Sequence, residues 1–255
     1  MKIISLQSGS NGNCIYVEAS GCRLLLDAGI SGKQAELRLA EHGRCIRDVD
    51  AVLISHDHSD HAKCLGVFQR KFGLGAYVTA KTLRAAQSRQ ALGKIGKVRP
   101  FVAGERLEFD GLGVQTIPTP HDGVDGVAFV LDDGRRRLGV LTDLGHPFAG
   151  LGEVIASLDA VLLESNYDPA MLAAGAYPEF LKRRIAGPGG HLSNDESAEL
   201  VKAWASNKLQ WLCLAHLSEQ NNEPDLALAT HRQTVGESLE IKVASRYRVG
   251  EVLEV

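Results

Sequence analysis

A six-residue segment of the chain concentrates side chains that bind metals: His56-Asp57-His58-Ser59-Asp60-His61 (the 56–61 segment). Imidazole and carboxylate ligands suit zinc, iron and manganese. The segment follows the short apolar run Ala51–Ile54, which predicts a buried strand. Because residues two positions apart point to the same side at the end of a strand, we expect His56 and His58 to bind one metal ion together. Asp60 and His61, beyond the turn, are expected to reach a second position beside it.

Polar side chains also follow apolar runs elsewhere in the chain: Asp27, His121, Asp143, Glu164 and His216. Taken alone, such a histidine is commonly a core or surface residue, and such an aspartate is commonly a turn or cap residue. However, three of the nine histidines lie in the 56–61 segment, and the strands of a sheet sandwich can end at a common edge. The joint occurrence of these residues therefore favours one metal-centred site over a set of solvated loops.

His191 follows a Gly/Pro-rich loop, residues 187–190, and precedes the start of a helix. Ser193 and Glu196 have the spacing of a capping box there. Backbone N–H groups and the dipole at such a start favour an anion. His191 is therefore expected to hold a phosphate oxygen or to protonate a leaving oxygen; the alternative is a loop histidine that makes a capping contact. Further candidates for contacts with a substrate, or with the residues that support the ligands, are Asn13, Asn166 and Asn222.

The order of predicted elements indicates a layered fold of the α/β (α+β) class. Apolar strand patterns alternate with amphipathic helix patterns, among them predicted helices at Ala62–Phe72 and Pro224–Leu239. Hairpin turns are predicted at Asp110-Gly111 and at residues 132–134. Two facing sheets with helices outside would bury this many apolar strands. No linker, low-complexity tract or repeat divides the chain, so we expect a single domain over residues 1–255.

Composition limits the functional classes. With 44% hydrophobic and 23% charged residues, the chain has the composition of a soluble globular protein. Five cysteines, odd in number and never spaced C-x-x-C, argue against a disulfide framework and a structural zinc knuckle. The N-terminus lacks a secretory signal pattern, and no segment has the length of a membrane span. These features predict a cytoplasmic protein that does not associate with a membrane.

The charge distribution bears on nucleic acid as a partner. A net charge of −3 argues against a broadly basic surface but not against a local basic groove. Basic residues at 135–137 and 182–184, with Arg246 and Arg248, could follow a phosphate backbone or form solvated faces. Aromatic residues make up only 5% of the chain, so a stacking platform for many bases is not evident.

The motifs taken together resemble those of the metallo-β-lactamase superfamily. Its hallmark, H-x-H-x-D-H followed by a distant His, Asp and His, is matched by residues 56–61, His121, Asp143 and His216. Within the superfamily, the sequence is similar to the YycJ (WalJ) type of DNA exonuclease. That likeness rests on five further segments: 8–14 (SGSNGNC), 26–29 (LDAG), 31–34 (SGKQ), 190–194 (GHLSN) and 216–222 (HLSEQNN).

The resemblance implies a four-layered αββα sandwich, with two mixed sheets flanked by helices. It also implies a dinuclear centre in which one metal ion is bound by His56, His58 and His121, and the other by Asp60, His61 and His216. Asp143 would bridge the two ions. Asp27 would brace the ligand loop through hydrogen bonds.

Two divalent ions, zinc or manganese with iron as a further candidate, could share a hydroxide that attacks phosphorus in line. Asp60 or Asp143 would orient the hydroxide, and His191 would assist the phosphate or the departing oxygen. We therefore expect a metal-dependent hydrolase, a phosphodiesterase or exonuclease acting on DNA ends. The alternatives are a small-molecule thioesterase or lactonase resembling glyoxalase II and, from another class, a non-catalytic metal-binding module.

Overall fold

Strands whose residues alternate between two apolar surroundings form the first sheet of the computed structural model, which describes residues 1–255. In the strand Cys22–Leu26, Leu24 and Leu26 enter one core and Leu25 enters another, as the two-residue period of a strand requires. In spatial order the strands are β14 (Leu253–Glu254), β1 (Lys2–Gln7), β2 (Cys14–Ala19), β3 (Cys22–Leu26), β4 (Ala51–Leu53), β5 (Gly75–Thr79) and β6 (Val98–Phe101). Pairs from β14 to β3 are antiparallel and pairs from β3 to β6 are parallel, so the sheet is mixed.

The second sheet has the same mixed character. In spatial order its strands are β13 (Glu240–Val243), β12 (Trp211–Ala215), β11 (Ala160–Glu164), β10 (Arg137–Leu141), β9 (Val127–Asp132), β8 (Leu112–Pro118) and β7 (Arg106–Phe109). Strands β7 to β10 are antiparallel and β10 to β13 are parallel. Both predicted hairpins are confirmed. The β7–β8 turn places Asp110 and Gly111 at positive φ, 44° and 88°, as a tight hairpin turn requires.

Nine helices accompany the sheets: α1 (Gly32–Glu41), α2 (Ser59–Ala62), α3 (Leu65–Phe72), α4 (Ala80–Arg89), α5 (Leu151–Ala156), α6 (Pro169–Ala174), α7 (Glu179–Ile185), α8 (Asn194–Trp204) and α9 (Pro224–Val235). Sequence patterns alone do not indicate α5 and β14, which are only six and two residues long. None of the helices combines the length and apolar character that crossing a bilayer requires.

Three apolar cores separate four layers. The largest, with 24 buried residues, lies between the two sheets. A second, of 22 residues, joins the first sheet to α1, α3 and α4, and a third, of 17 residues, joins the second sheet to α5, α8 and α9. The order of layers is therefore helix, sheet, sheet, helix, which confirms the predicted αββα sandwich.

Two helix predictions were wrong in their bounds. The predicted helix Ala62–Phe72 is broken at Lys63-Cys64, because the N–H of Cys64 donates to the carbonyl oxygen of Ala28 (2.9 Å) instead of continuing one helix. A separate short helix, α2, begins three residues earlier and contains Asp60 and His61. At the other end of the chain, α9 stops at Val235 because Gly236 adopts a φ of 91°.

Candidate metal centre

Residues with unusual backbone conformation lie just beyond three strands. Asp27 follows β3, Asp143 lies two residues after β10, and His216 follows β12, with φ values of 66°, 57° and 57°. A non-glycine residue in this left-handed region costs about 1–3 kcal/mol, and such residues cluster at functional sites. Each turn directs the chain across the common edge of the sandwich, and the three side chains lie in one buried cluster of histidines and aspartates.

Two groups of three metal-binding side chains in the cluster share no residue, and two further groups overlap with them and include Asp143, Glu164 and His191. One of the two separate groups consists of His56, His58 and His121, and the other of Asp60, His61 and His216, with the ligand atoms of each group within 4.8 Å of one another. These are the triads that the resemblance implied, and their residues come from three separate segments of the chain: 56–61, His121 and His216.

Asp143 lies between the two groups. Its Oδ2 is 3.3 Å from His61 Nε2 and 3.3 Å from His216 Nδ1, and its Oδ1 is 3.7 Å from His121 Nε2. One carboxylate therefore contacts ligands of both groups, the geometry that a bridging ligand needs.

Three buried polar atoms at this point have no hydrogen-bond partner: His56 Nε2, His216 Nδ1 and Asp143 Oδ2. Buried polar atoms without a partner are rare, because each costs desolvation energy that no hydrogen bond offsets. All three are lone-pair donors of the types that bind first-row divalent ions. The residues present therefore fit a divalent metal.

The protonation of three of the ligand histidines and of Asp60 agrees with this fit. Burial lowers the pKa of His56 well below its usual value, and burial also lowers the pKa of His58 and of His216. These imidazoles are thus neutral, the form that binds a metal. Although burial works in the opposite direction, His61 lowers the pKa of Asp60 to about 2, so that this carboxylate is ionised.

Asp27 fixes the orientation of His61. Its Oδ2 accepts hydrogen bonds from His61 Nδ1 (2.7 Å) and Ser55 Oγ (2.9 Å), while Oδ1 accepts from Ser55 N (2.8 Å). This leaves His61 Nε2 facing Asp60 and Asp143. Burial opposes a charge on His61, but the carboxylates of Asp143, Asp27 and Asp60 raise its pKa well above the usual value. The pair has the carboxylate–histidine arrangement that commonly orients metal-binding imidazoles.

The loop between β1 and β2, residues 8–13, packs against the ligands. Ser8 Oγ accepts from His216 N (2.9 Å), and Asn13 Nδ2 lies 2.9 Å from His61 Nε2 and 3.4 Å from Asp60 Oδ2. Asn13 is therefore buried and directly contacts the metal-facing atoms of two ligands. The neighbouring Gly29 permits this packing, since a Cβ there would lie only 1.6 Å from the carbonyl oxygen of Asp60.

His191 pairs with Glu164 beside the second group. His191 Nδ1 lies 2.7 Å from Glu164 Oε1, and Glu164 Oε2 accepts from the N–H groups of Leu144 (3.0 Å) and Leu192 (3.3 Å). Burial opposes a charge on His191, but the Glu164 carboxylate and its hydrogen bond raise the pKa of the imidazole. The sequence predicts Glu164 at a strand end and assigns it no role, whereas in the structure this carboxylate orients His191, 27 residues away in the chain.

Asn166 and Asn222 bond the loops behind the ligands. Asn222 is buried, and its amide group bonds Asn194 and the carbonyl oxygens of Ser165 and Asn166 at 2.9–3.0 Å. Asn166 is also buried and donates to the carbonyl oxygen of His216 (2.7 Å). Both amides hold loops together, and Asn166 does so directly behind His216, so a contact of either residue with a substrate stays a prediction.

A cavity of about 400 Å³ opens over the cluster, and none of its eleven lining residues is hydrophobic. The lining includes His58, Asp60, Asp143, His191 and two arginines, Arg89 and Arg184. Of the basic stretches in the sequence, 182–184 is the one represented in this lining. Arg136 instead bonds Asp159 (2.8 Å), and Arg246 bonds the carbonyl oxygen of Leu217 (2.8 Å) and Glu219 (3.2 Å).

Carboxylates hold both arginines in place, and sequence reasoning missed each pair. Arg89 bonds Asp57, which is fully buried and also accepts from the N–H of Val124 (2.7 Å). Arg184 makes a two-point contact with Asp122 (2.6 and 3.1 Å).

Comparison of the chain with known proteins indicates the same fold and identifies relatives. The model of the metallo-beta-lactamase superfamily matches residues 8–176. The chain is 37% identical to the exodeoxyribonuclease WalJ of Streptococcus pneumoniae, covering 88% of this chain and 84% of that protein. It is 35% identical to the exodeoxyribonuclease YycJ of Bacillus anthracis, covering 98% and 92%. Among solved structures, the metallo-beta-lactamase fold protein YhfI of Bacillus subtilis superimposes with a TM-score of 0.74 at 16% identity, covering 98% of each chain.

The YhfI likeness shows the fold alone, because its sequence identity is low. The match of the family model and the two relatives above 30% identity identify the family as well as the fold. They show that this chain belongs to the metallo-β-lactamase superfamily and is one of its hydrolases.

Proposed function

We propose that the protein is a dinuclear metal-dependent phosphodiesterase that removes nucleotides from the ends of DNA. The observation that carries this proposal is the lining of the cavity, which has no hydrophobic residue and includes Arg89 and Arg184. A thioester or lactone with an apolar acyl group would find no apolar side chain in this lining. A phosphodiester brings negative charge, which guanidinium groups recognise through paired N–H donors.

The relatives support DNA as the substrate and strand ends as the point of attack. Two proteins named exodeoxyribonuclease share 35% and 37% identity with nearly the whole chain. The segments at 8–14, 190–194 and 216–222, on which the initial likeness rested, lie around the cluster: Ser8, Asn13, His191 and His216 all contact it.

Seven side chains would hold the two ions: His56, His58 and His121 for one, Asp60, His61 and His216 for the other, and Asp143 for both. The mixture of imidazole and carboxylate suits zinc and manganese, with iron as a further candidate. When bound, such ions supply Lewis acidity at the phosphoryl group and lower the pKa of a water molecule.

Side chains of the protein have three further roles: to orient the attacking water, to hold a proton for the departing oxygen and to neutralise the phosphate oxygens. The ionised carboxylates of Asp60 and Asp143 accept hydrogen bonds from the attacking water and orient it towards phosphorus. His191, held through Nδ1 by Glu164, presents Nε2 to the cavity and keeps a proton there for the departing oxygen. Arg89 and Arg184 neutralise the non-bridging oxygens.

We also propose that residues 1–255 act as one domain. The ligands come from loops of both sheets, with Asp60 following β4 of the first and His216 following β12 of the second. Neither sheet alone could assemble the centre.

The test is a panel of defined DNA strands carrying a label at the 5′ or the 3′ end, in single- and double-stranded form. The metal-depleted protein is assayed with Mn²⁺ or Zn²⁺ added back, beside a small thioester and a lactone. We expect stepwise release of nucleotides from one end. Brisk cleavage of the thioester without release of nucleotides would refute the proposal, as would a protein that binds fewer than two ions and hydrolyses nothing.

A further inference from the structure

One short helix beside the cavity, α7, exposes an aromatic ring that the fold does not use. None of its seven residues is buried, and Phe180 is 69% exposed. An exposed large apolar side chain on a helix without a buried face makes no contribution to a core, so its ring is available to a ligand.

The contacts of α7 determine which way Phe180 faces. Arg184, near the end of the helix, lines the cavity and bonds Asp122. Lys182 lies about 200° around the helix from Arg184, and its Nζ donates to the carbonyl oxygen of Ala173 (2.6 Å) on α6. Phe180 is four residues before Arg184, so the two side chains share a face with Cβ atoms about 5–6 Å apart. Phe180 therefore lies on the side of α7 that faces the cavity, one helical turn before Arg184.

The end of α7 is also tied to the catalytic loop. The N–H of His191 donates to the carbonyl oxygen of Ile185 (2.9 Å), and a Cβ at Gly190 would lie 2.0 Å from that same oxygen. The position of the ring relative to His191 is thus set by packed backbone rather than by a free loop.

We propose that α7 forms a stacking subsite for one unpaired nucleobase, with Phe180 against the base and Arg184 on the adjacent phosphate. The inference rests on the proposed function and refines it: the substrate is a DNA end whose terminal bases are unpaired. The terminal pair of a duplex offers only its outer face, along the duplex axis, whereas an unpaired base can turn either face towards an aromatic ring beside the strand. One exposed ring at the mouth suits one base, in keeping with the low aromatic content of the chain.

Charge favours a nucleic acid over a second copy of this chain on the same face. Arg183 and Arg184 follow Phe180 by three and four residues and lie on its face of α7, whereas Lys182 lies on the other side. A two-fold interface through this face of α7 would bring the two arginines against their own copies, which is unfavourable. A strand with one phosphate per nucleotide complements them.

The experiment compares Phe180→Leu, which keeps an apolar side chain without a ring, with Phe180→Tyr, which keeps the ring. Initial rates are measured on single-stranded DNA, on a blunt duplex and on bis(p-nitrophenyl) phosphate, a small phosphodiester without a nucleobase. We expect Phe180→Leu to raise KM for the single strand by roughly tenfold and to leave kcat and the small-substrate rate unchanged. Phe180→Tyr should behave as the wild type.

A matched control removes another exposed aromatic side chain. Trp204 is 43% exposed at the end of α8, about 15 Å along that helix from its start near His191. Trp204→Leu should leave KM for the single strand unchanged.

Distinct results separate the failure of this inference from the failure of the proposed function. Wild-type protein that hydrolyses the small phosphodiester but no DNA would refute the proposed function. Wild-type protein that degrades DNA, with Phe180→Leu equal to it in KM, would overturn the stacking subsite alone. A variant that changes the oligomeric state on size-exclusion chromatography but not KM would overturn it in favour of a protein interface.

Discussion

Glu164 Oε1 lies 2.7 Å from His191 Nδ1, and the Glu164 side chain is fully buried. The two residues join the exit of β11 to the loop before α8, directly beside the metal centre. The remaining oxygen of Glu164 is held by two backbone N–H groups. The imidazole of His191 is thus orientated by a rigid partner, with Nε2 left for the cavity.

Replacing Glu164 with glutamine should lower kcat roughly 10- to 100-fold, the usual cost of losing an orienting partner behind a reactive group. KM and the metal content should stay close to the wild-type values, because glutamine keeps the shape of the side chain. Steady-state kinetics and elemental analysis provide the measurements. Loss of one ion in Glu164→Gln would instead identify Glu164 as a metal ligand, since its carboxylate lies within reach of Asp143 and His216.

Removal of metal should abolish hydrolysis, and added Mn²⁺ or Zn²⁺ should restore it. His58→Ala should bind fewer than two ions per chain and lose activity by about 100-fold or more, because several kcal/mol of transition-state stabilisation depend on the ions. His42→Ala serves as the control, because His42 bonds the carbonyl oxygen of Gly250 (2.9 Å) and lies outside the ligand groups. Full activity in His58→Ala would contradict the assignment of the site.

Asp57→Ala should destabilise the fold by about 1–3 kcal/mol, since it leaves the N–H of Val124 and the guanidinium of Arg89 without their partner. The thermal midpoint should fall by roughly 2–10 °C. Differential scanning calorimetry measures the change. Glu36→Ala, which removes an exposed ion pair with Lys71 (2.7 Å), should cost less than about 1 kcal/mol. Equal losses in the two variants would show that the buried Asp57 has no special part in the fold.

His231 on α9, fully buried against α8, should make the free energy of unfolding depend on pH. Burial lowers its pKa from 6.5 to about 4, and hydrogen bonds to Ala227 O (2.9 Å) and Ser197 Oγ (3.1 Å) suit the neutral ring. Between these values the unfolded chain takes up a proton that the folded protein does not. Stability from this group is therefore complete above pH 6.5 and declines towards pH 4, by about 3 kcal/mol in total.

The variant His231→Gln cannot take up that proton, so its free energy of unfolding should fall less steeply between pH 7 and pH 4 than that of the wild type. Urea denaturation at several pH values provides the comparison. Ser197→Ala keeps the buried imidazole and should keep the wild-type slope at lower overall stability. Identical slopes in His231→Gln and the wild type would exclude His231 as the source.

Much of the fold follows from local patterns. Leu24, Leu25 and Leu26 alternate between two cores. A short apolar run of this kind predicts a strand buried on both faces, and the prediction needs no knowledge of the neighbouring strands. Helix bounds were less predictable. The break at Cys64 comes from a hydrogen bond to Ala28, 36 residues away in the chain, and no property of residues 62–72 announces it.

The sequence by itself determined the donor types of the candidate site and their order along the chain. Imidazoles and carboxylates at strand ends have a recognisable spacing, because strand parity and the ends of strands are local features. Only the tertiary structure decided which side chains share one cavity. It placed Glu164 beside His191 and the arginines Arg89 and Arg184 in the lining of the cavity, and it buried the side chain of Asn222. These outcomes depend on how two sheets and their loops pack across long separations, where a single hydrogen bond or a positive φ at Asp143 redirects a side chain.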